Sequence, residues 1–181
     1  AQQHIALPIS AQRQVNPDAV ARKFGGDVYI VNRFGTRGDS IQVLDPQADF
    51  ATRYNCSTGA GSNPHDIAFL SAEKAYVTRY DDTTLLIIDP TVSADCAGFV
   101  RGTIDLSAFA DADGIPEMDQ MAIVGDRLYV TVQRLNRNRF FEPAGPGSIV
   151  VIDTTTDTVT GEIQLSGENP FGDSSGLVVQ G

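Results

Sequence analysis

Short apolar runs alternate with turn residues along the whole chain. Segments 27–32, 74–79 and 127–132 each place a tyrosine third, followed by two β-branched residues. Runs of about six β-branched and aromatic residues, bounded by Gly, Pro and Asp, are typical of strands. The pattern therefore predicts an all-β chain built from short strands.

The same unit recurs three times, with its tyrosine at Tyr29, Tyr76 and Tyr129, which lie 47 and 53 residues apart. A strand-like segment precedes each tyrosine run and two more follow it, so one unit holds four strands. Four antiparallel strands with a period of about 50 residues are typical of a β-propeller blade. The third strands, at 40–45, 85–89 and 148–153, end in aspartates that we expect to cap the following turns through their side chains. The fourth strands lie at 51–56, 99–106 and 158–165.

We predict about three four-stranded blades plus the first strand of a fourth. Propellers typically close with four to eight blades, so this number leaves sheet faces open. The chain is then part of a larger ring, or a second chain completes its ring. The predicted divisions are an N-terminal arm that could act as a ring-closing strand (1–15), blade 1 (16–62), blade 2 (63–115), blade 3 (116–168) and the start of blade 4 (169–181).

The repeated unit resembles a known family. The segment Asn63-Pro64-His65-Asp66, followed by Tyr76-Val77-Thr78-Arg79, is similar to the YVTN-type (bacterial surface-antigen-like) β-propeller repeats. Its copies at Tyr29-Ile30-Val31-Asn32 and Tyr129-Val130-Thr131-Val132 extend the resemblance over about residues 16–181. The resemblance implies an exported or cell-surface protein that binds or scaffolds. Related propellers include lactonases and lyases, so it does not decide the function.

Charge narrows the possible partners. The chain has 18 Asp and 5 Glu against 11 Arg and 2 Lys, for a formal net charge of −10. This excess disfavours nucleic acid as a partner. No apolar run approaches the length of a membrane-spanning helix. An acidic, lysine-poor and turn-rich β protein fits export, so we expect a periplasmic or cell-surface location.

The two cysteines, Cys56 and Cys96, lie 40 residues apart and outside any CxxC pair. Such spacing disfavours a zinc site. Two possibilities remain, a disulfide between blades 1 and 2 or two buried thiols.

Acidic residues suggest a cation site before blade 3. Oxygen ligands at alternate positions with a glycine turn suit Ca²⁺, the one cofactor candidate of the sequence. The alternative is a solvated acidic turn between blades. The candidate ligands are Asp111, Asp113, Glu117 and Asp119.

A second polar set follows the proline that opens each blade. Because this segment leads into the innermost strand, its copies are expected near the axial channel, where they could hold a metal or a polar ligand. The alternative is that each aspartate caps its own turn. The residues are His65, Asp66, Asp119 and Asp173.

The third hairpin, residues 133–147, is unusually long and is basic in an acidic chain. Arginine and aromatic residues are enriched at protein-interface hot spots. The hairpin is therefore the predicted partner-binding loop, the alternative being that its phenylalanines pack on their own blade. The candidate residues are Arg134, Arg137, Arg139, Phe140 and Phe141.

These patterns favour a non-enzymatic, exported propeller that binds or scaffolds proteins in a cell-envelope or larger assembly. Its partner would be another protein or the remaining blades. Two alternatives stay open, a lactonase- or lyase-type enzyme with its site at the axial channel and a carbohydrate-binding propeller. The chain has only two histidines, which makes the enzyme the less favoured of the hypotheses.

Overall fold

The computed structural model describes residues 15–34 and 38–168. Twelve of the described strands form three four-stranded antiparallel sheets, each in simple chain order. Sheet 1 contains β1 (Ala19–Phe24), β2 (Asp27–Asn32), β3 (Ser40–Asp45) and β4 (Ala51–Ser57). Sheet 2 contains β5 (Pro64–Phe69), β6 (Ala75–Arg79), β7 (Thr84–Ile88) and β8 (Val100–Asp105). Sheet 3 contains β9 (Met118–Val124), β10 (Arg127–Val132), β13 (Pro146–Asp153) and β14 (Thr158–Glu168).

Between β10 and β13, the long hairpin carries a two-stranded ribbon, β11 (Leu135–Asn136) and β12 (Glu142–Pro143). Helical structure in the described residues is limited to three single 3-10 turns, at Pro46–Ala48, Ser107–Phe109 and Arg137–Arg139. The predicted all-β fold class is therefore confirmed. Each sheet lies inside one predicted blade range, although the divisions themselves stay predictions. The predicted arm, except for Val15, and the start of blade 4 lie outside the described residues.

Aspartates at the ends of the third strands hold the turns that follow. The side chains of Asp45, Asp89 and Asp153 each accept a hydrogen bond from the backbone N–H two residues on, at 2.9, 2.8 and 2.9 Å. Short polar side chains make such turns because they reach nearby backbone donors. The repeated aspartates are thus turn residues, as the sequence predicts.

The sheets stack face to face, and the core lies between them. One apolar cluster joins sheets 1 and 2 and includes Tyr29, Val43 and Val77, all buried. A second joins sheets 2 and 3 and includes Tyr76, Leu128 and Val150. Sheet 2 is therefore buried on both faces, because alternate residues of its strands point to opposite sides.

A disulfide between Cys56 of β4 and Cys96 of the loop after β7 crosslinks sheets 1 and 2. Cys56 is buried in the apolar cluster between these sheets. Beside the disulfide, the Tyr54 hydroxyl donates to the Pro90 carbonyl at 3.1 Å. The covalent bond and the hydrogen bond tie the outer part of sheet 1 to the loop between the third and fourth strands of sheet 2.

The first strands of the sheets converge, since β5 contacts both β1 and β9. At one end of these strands lie the connections between sheets and the hairpins after β6 and β10. We call this end the loop end; it comprises residues 58–63, 80–83, 106–117 and 133–145. The described residues of the predicted metal, axial-channel and partner-binding sets lie at the loop end or in the first residues of the strands that begin there.

Candidate functional site

A histidine–aspartate pair joins sheets 2 and 3 at the start of their first strands. His65 Nδ1 lies 2.9 Å from Asp119 Oδ1. The Asp119 side chain is only 5% exposed and that of His65 is 13% exposed. The stacked sheets thus bring together two residues that lie 54 positions apart in the chain.

Asp119 is held by several donors. Gln133 Nε2 donates to its Oδ2 at 2.7 Å, and Gln120 Nε2 donates to its Oδ1 at 3.1 Å. Burial by itself raises the pKa of Asp119, but the hydrogen bonds from His65 and Gln120 and the charges of His65 and Arg33 bring it below the usual range. Asp119 is therefore ionised at neutral pH, and its charge fixes the orientation of the imidazole.

The imidazole of His65 also packs against a tyrosine. Its ring stacks on Tyr80 with 4.1 Å between centroids and 12° between planes. The Tyr80 hydroxyl donates to Gln133 Oε1 at 3.1 Å, and Gln133 in turn donates to Asp119. His65, Asp119, Gln133 and Tyr80 thus contact one another in a closed cycle. Nε2 of His65 makes none of these hydrogen bonds, which leaves it as the nitrogen available for proton transfer.

Asp66 has a structural role beside this pair. Its carboxylate accepts from Arg22 Nε at 2.8 Å and from the backbone N–H of Met121 at 2.9 Å. Arg22 Nη2 also donates to Gln120 Oε1 at 3.0 Å. Burial raises the pKa of Asp66, and these donors act in the opposite direction. The arginine and the carboxylate thus connect the first strands of all three sheets.

Asp66 and Asp119 do not occupy equivalent positions, contrary to the repeat inferred from the prolines. The backbone N–H of Asp66 donates to Thr78 Oγ1, and in sheet 3 the N–H of Gln120 donates to Thr131 Oγ1. Asp66 therefore corresponds to Gln120, and His65 corresponds to Asp119. Asp66 lies two residues after its proline and Asp119 three residues after its own, and both first strands shift register near their starts, so the shared proline does not make the two aspartates equivalent. Asp173, the third predicted copy, lies outside the described residues.

The four predicted calcium ligands are not brought together. Asp111 Oδ1 accepts from the N–H of Asp113, and Asp113 Oδ2 accepts from the N–H of Arg137. Glu117 pairs with Arg137, whereas Asp119 pairs with His65. In the part of the chain that the structure describes, no group of three or more His, Cys, Asp or Glu could hold a metal ion. Asp111 and Asp113 interact with each other, whereas Glu117 and Asp119 each pair with a different cationic or imidazole side chain.

Arg137 fastens the long hairpin to the rest of the loop end. Its Nε donates to Glu117 Oε1 at 2.8 Å, and its Nη1 lies 2.6 Å from Asp81 Oδ1. Its Nη2 donates to the Tyr80 carbonyl at 2.9 Å, and its guanidinium lies 5.5 Å from the centre of the Tyr80 ring. Arg137, predicted to contact a partner, is thus engaged within the chain.

Glu117 accepts the hydrogen bond from Arg137, and its side chain has no exposed surface. Its Oε2 accepts from the backbone N–H of Leu135 at 2.9 Å. Burial raises the pKa of Glu117 to about 7, against the opposing effect of Arg137 and Leu135. In sheet 2 the equivalent residue is Asn63, which has the same φ of 48°. From the sequence Glu117 is predicted only as a metal ligand, and no spacing signal reveals its pairing with Arg137.

The tip of the hairpin faces solvent. Phe140 is 97% exposed and Phe141 is 49% exposed, although Phe141 contacts the Arg137 guanidinium at 5.6 Å. Arg139 pairs with Glu142 on the surface at 3.0 Å. Arg134 differs from these residues because its backbone carbonyl accepts from Ala144 inside the hairpin. Of the five predicted contact residues, Arg139, Phe140 and Phe141 form an exposed tip, and Arg137 holds it in place.

No protein-family model matches this chain, and no curated protein matches it in sequence. Solved structures do match its fold. They include a europium-containing methanol dehydrogenase (TM-score 0.56, 15% identity), the hydrazine synthase of Kuenenia stuttgartiensis (0.55, 19%) and the periplasmic gluconolactonase PpgL of Pseudomonas aeruginosa (0.55, 16%). The alignments cover 81%, 83% and 84% of this chain, respectively.

The chain is a β-propeller protein, as these structural neighbours and its three stacked four-stranded sheets show. The match spans 24%, 36% and 41% of the three neighbouring chains, so this chain covers well under half of their length. Identities of this size define the fold alone. In the described residues no helix is long and apolar enough to cross a membrane.

Proposed function

We propose that this chain is a non-catalytic binding module, with the hairpin tip Arg139–Phe141 as its contact surface for a protein partner. The single observation that carries the proposal is the exposure of Phe140, 97%, on a hairpin that Arg137 fastens to the buried carboxylate of Glu117. An exposed aromatic ring gains free energy when a partner buries it. A preorganised loop loses little conformational entropy on binding.

The chemistry of the tip defines the partner. Phe140 requires an apolar pocket, and Arg139, whose side chain is 71% exposed, favours an acidic group at the rim of that pocket. The acidic surface of the rest of the chain disfavours nucleic acid at this place. We therefore propose a protein partner with an apolar pocket bordered by carboxylates.

We further propose that the protein works outside the cytosol, in the periplasm or at the cell surface. The disulfide between Cys56 and Cys96 supports this, because disulfides persist in oxidising compartments. One structural neighbour is named a periplasmic gluconolactonase, which agrees with the same location.

A photo-crosslinker placed at position 140 tests the binding proposal by identifying the partner. The affinity of the purified partner is then measured for the wild type and for Phe140→Ser. We expect a loss of about tenfold or more, as at an interface hot spot. Val100→Ser is the matched control, since Val100 is 48% exposed on β8. Equal affinity of all three proteins would refute the proposal.

A second candidate function rests on the pairing of His65 with Asp119. In a lactonase, Nε2 of His65 would take a proton from a water molecule while the water oxygen attacks the lactone carbonyl. The ring C–O bond then breaks, and the leaving alkoxide receives a proton from the imidazolium. An ionised, buried Asp119 stabilises that imidazolium. The gluconolactonase among the structural neighbours supports the choice of substrate class.

Hydrolysis of gluconolactone, followed by acid release at constant pH, separates the two functions. An enzyme loses its activity in His65→Gln and keeps it in Phe140→Ser. A binding module shows no hydrolysis above the uncatalysed rate in either variant or in the wild type.

A further inference from the structure

Three equivalent residues, one from each sheet, follow the second strands of the sheets. Arg33, Tyr80 and Gln133 each stand four residues after the repeated tyrosine of β2, β6 or β10. Tyr80 stacks on the imidazole of His65, and Gln133 donates to the carboxylate of Asp119. Two of the three positions thus contact the histidine–aspartate pair, and the repeat indicates that Arg33 lies on the same side of its own sheet.

Side chains of sheet 1 reach sheet 3 directly beside this pair. Arg22 of β1 donates to Asp66 of β5 at 2.8 Å and to Gln120 of β9 at 3.0 Å. Burial raises the pKa of Asp119 and its hydrogen bonds lower it, and the positive charge of Arg33 acts in the same direction as the hydrogen bonds. Because the Coulomb energy falls with distance, the guanidinium of Arg33 lies near the pair.

Arg33 is held in place by only part of its guanidinium. Its Nε donates to the Asp18 carbonyl at 3.0 Å, and its Nη2 donates to the Asp18 carboxylate at 2.6 Å. Neither contact uses Nη1. The Asp18 side chain is 48% exposed and that of Arg33 is 21% exposed, so water screens the negative charge more than the positive one. Nη1 is therefore a charged donor on a fixed guanidinium, a group that suits carboxylates.

We propose that Arg33 and His65 form a binding site for a small organic carboxylate, with Nη1 of Arg33 and Nε2 of His65 as the two donors. In the imidazolium form both ring nitrogens of His65 donate, Nδ1 to Asp119 and Nε2 to the ligand. The side chains of His65 and Arg33 are 13% and 21% exposed, so a small ligand reaches both from solvent. This site shares neither its residues nor its ligand with the hairpin tip.

Nuclear magnetic resonance of the histidine Hε1 protons at pH 6 tests this site in the 181-residue chain. The probes are D-gluconate and sorbitol, which has a hydroxymethyl group in place of the carboxylate. We expect gluconate to shift the His65 resonance in a saturable way and sorbitol to leave it unchanged. The resonance is assigned by its loss in His65→Gln.

Two variants separate ligand binding from structural support. Arg33→Gln removes the charged donor and should raise the Kd for gluconate about tenfold or more. Asp18→Asn breaks the same ion pair but keeps the guanidinium, so it should leave the Kd unchanged or lower it. If Arg33 served only to hold Asp18, the two variants would weaken binding equally.

That equal loss would overturn the proposal, and so would the absence of a saturable shift in the wild type or an equal response to sorbitol. Phe140→Ser should leave the Kd for gluconate unchanged. Because binding is measured without turnover, the outcome is independent both of partner binding at the hairpin tip and of lactone hydrolysis.

Discussion

Glu117→Gln should remove a pH dependence of stability that this one buried carboxyl imposes. The side chain has no exposed surface, and burial raises its pKa to about 7 from an ordinary 4.5. A carboxyl whose pKa differs by this much between the folded and the unfolded chain changes the free energy of unfolding by about 3 kcal/mol. Between pH 4.5 and 7 the folded chain keeps the proton that the unfolded chain has released, so stability falls as the pH rises.

Urea unfolding of the wild type and of Glu117→Gln between pH 4.5 and 8 measures this effect. The amide cannot ionise, so the difference in unfolding free energy between the two proteins should shift by about 3 kcal/mol across this range, in favour of the variant at high pH. Glu142→Gln serves as the control, since the Glu142 side chain is 59% exposed, and its difference from the wild type should stay nearly constant. Parallel pH profiles for wild type and Glu117→Gln would show that the carboxyl titrates normally and refute the reasoning.

Four other changes give separate tests by urea unfolding. Arg137→Ala leaves the buried Glu117 carboxylate without its charged partner, which should lower the free energy of unfolding by about 3 kcal/mol or more at pH 8. The loss should be smaller at pH 5, where that carboxyl is protonated, and an equal loss at both pH values contradicts this. Replacing Cys56 and Cys96 together with Ser should cost about 2–4 kcal/mol, and reductant should then have no further effect. Thr78→Val leaves a buried carbonyl unpaired between sheets 2 and 3 and should cost about 1–3 kcal/mol, with Thr78→Ser as the milder control. Phe140→Ser should change stability by less than about 0.5 kcal/mol, because the ring makes little contact in the fold.

Local patterns predicted the elements of this fold because they are properties of neighbouring residues. The tyrosine runs became β2, β6 and β10, and the aspartates after the third strands became turn caps. Alternation of inward and outward side chains requires no knowledge of the partner sheet. Strand order and fold class therefore followed from the sequence.

The match between repeats was less accurate at the start of the first strands. The sequence grouped Asp66 with Asp119 because both follow a blade-opening proline, whereas the hydrogen bonds equate Asp66 with Gln120. A shift of one residue sends a side chain to the opposite face of a strand. It places Asp66 against Arg22 and Asp119 against His65, which are different environments with opposite shifts of pKa.

By itself, the sequence determined that this chain is a series of four-stranded units with aspartate-capped turns, because short-range spacing and turn chemistry specify those features. Only the tertiary structure decided which distant groups meet. In it His65 pairs with Asp119, and Arg137 fastens the long hairpin through Glu117. Phe140 is then exposed at the tip of this hairpin. Such contacts depend on how sheets stack and on small changes of register, and neither is encoded in the spacing of residues along a single strand.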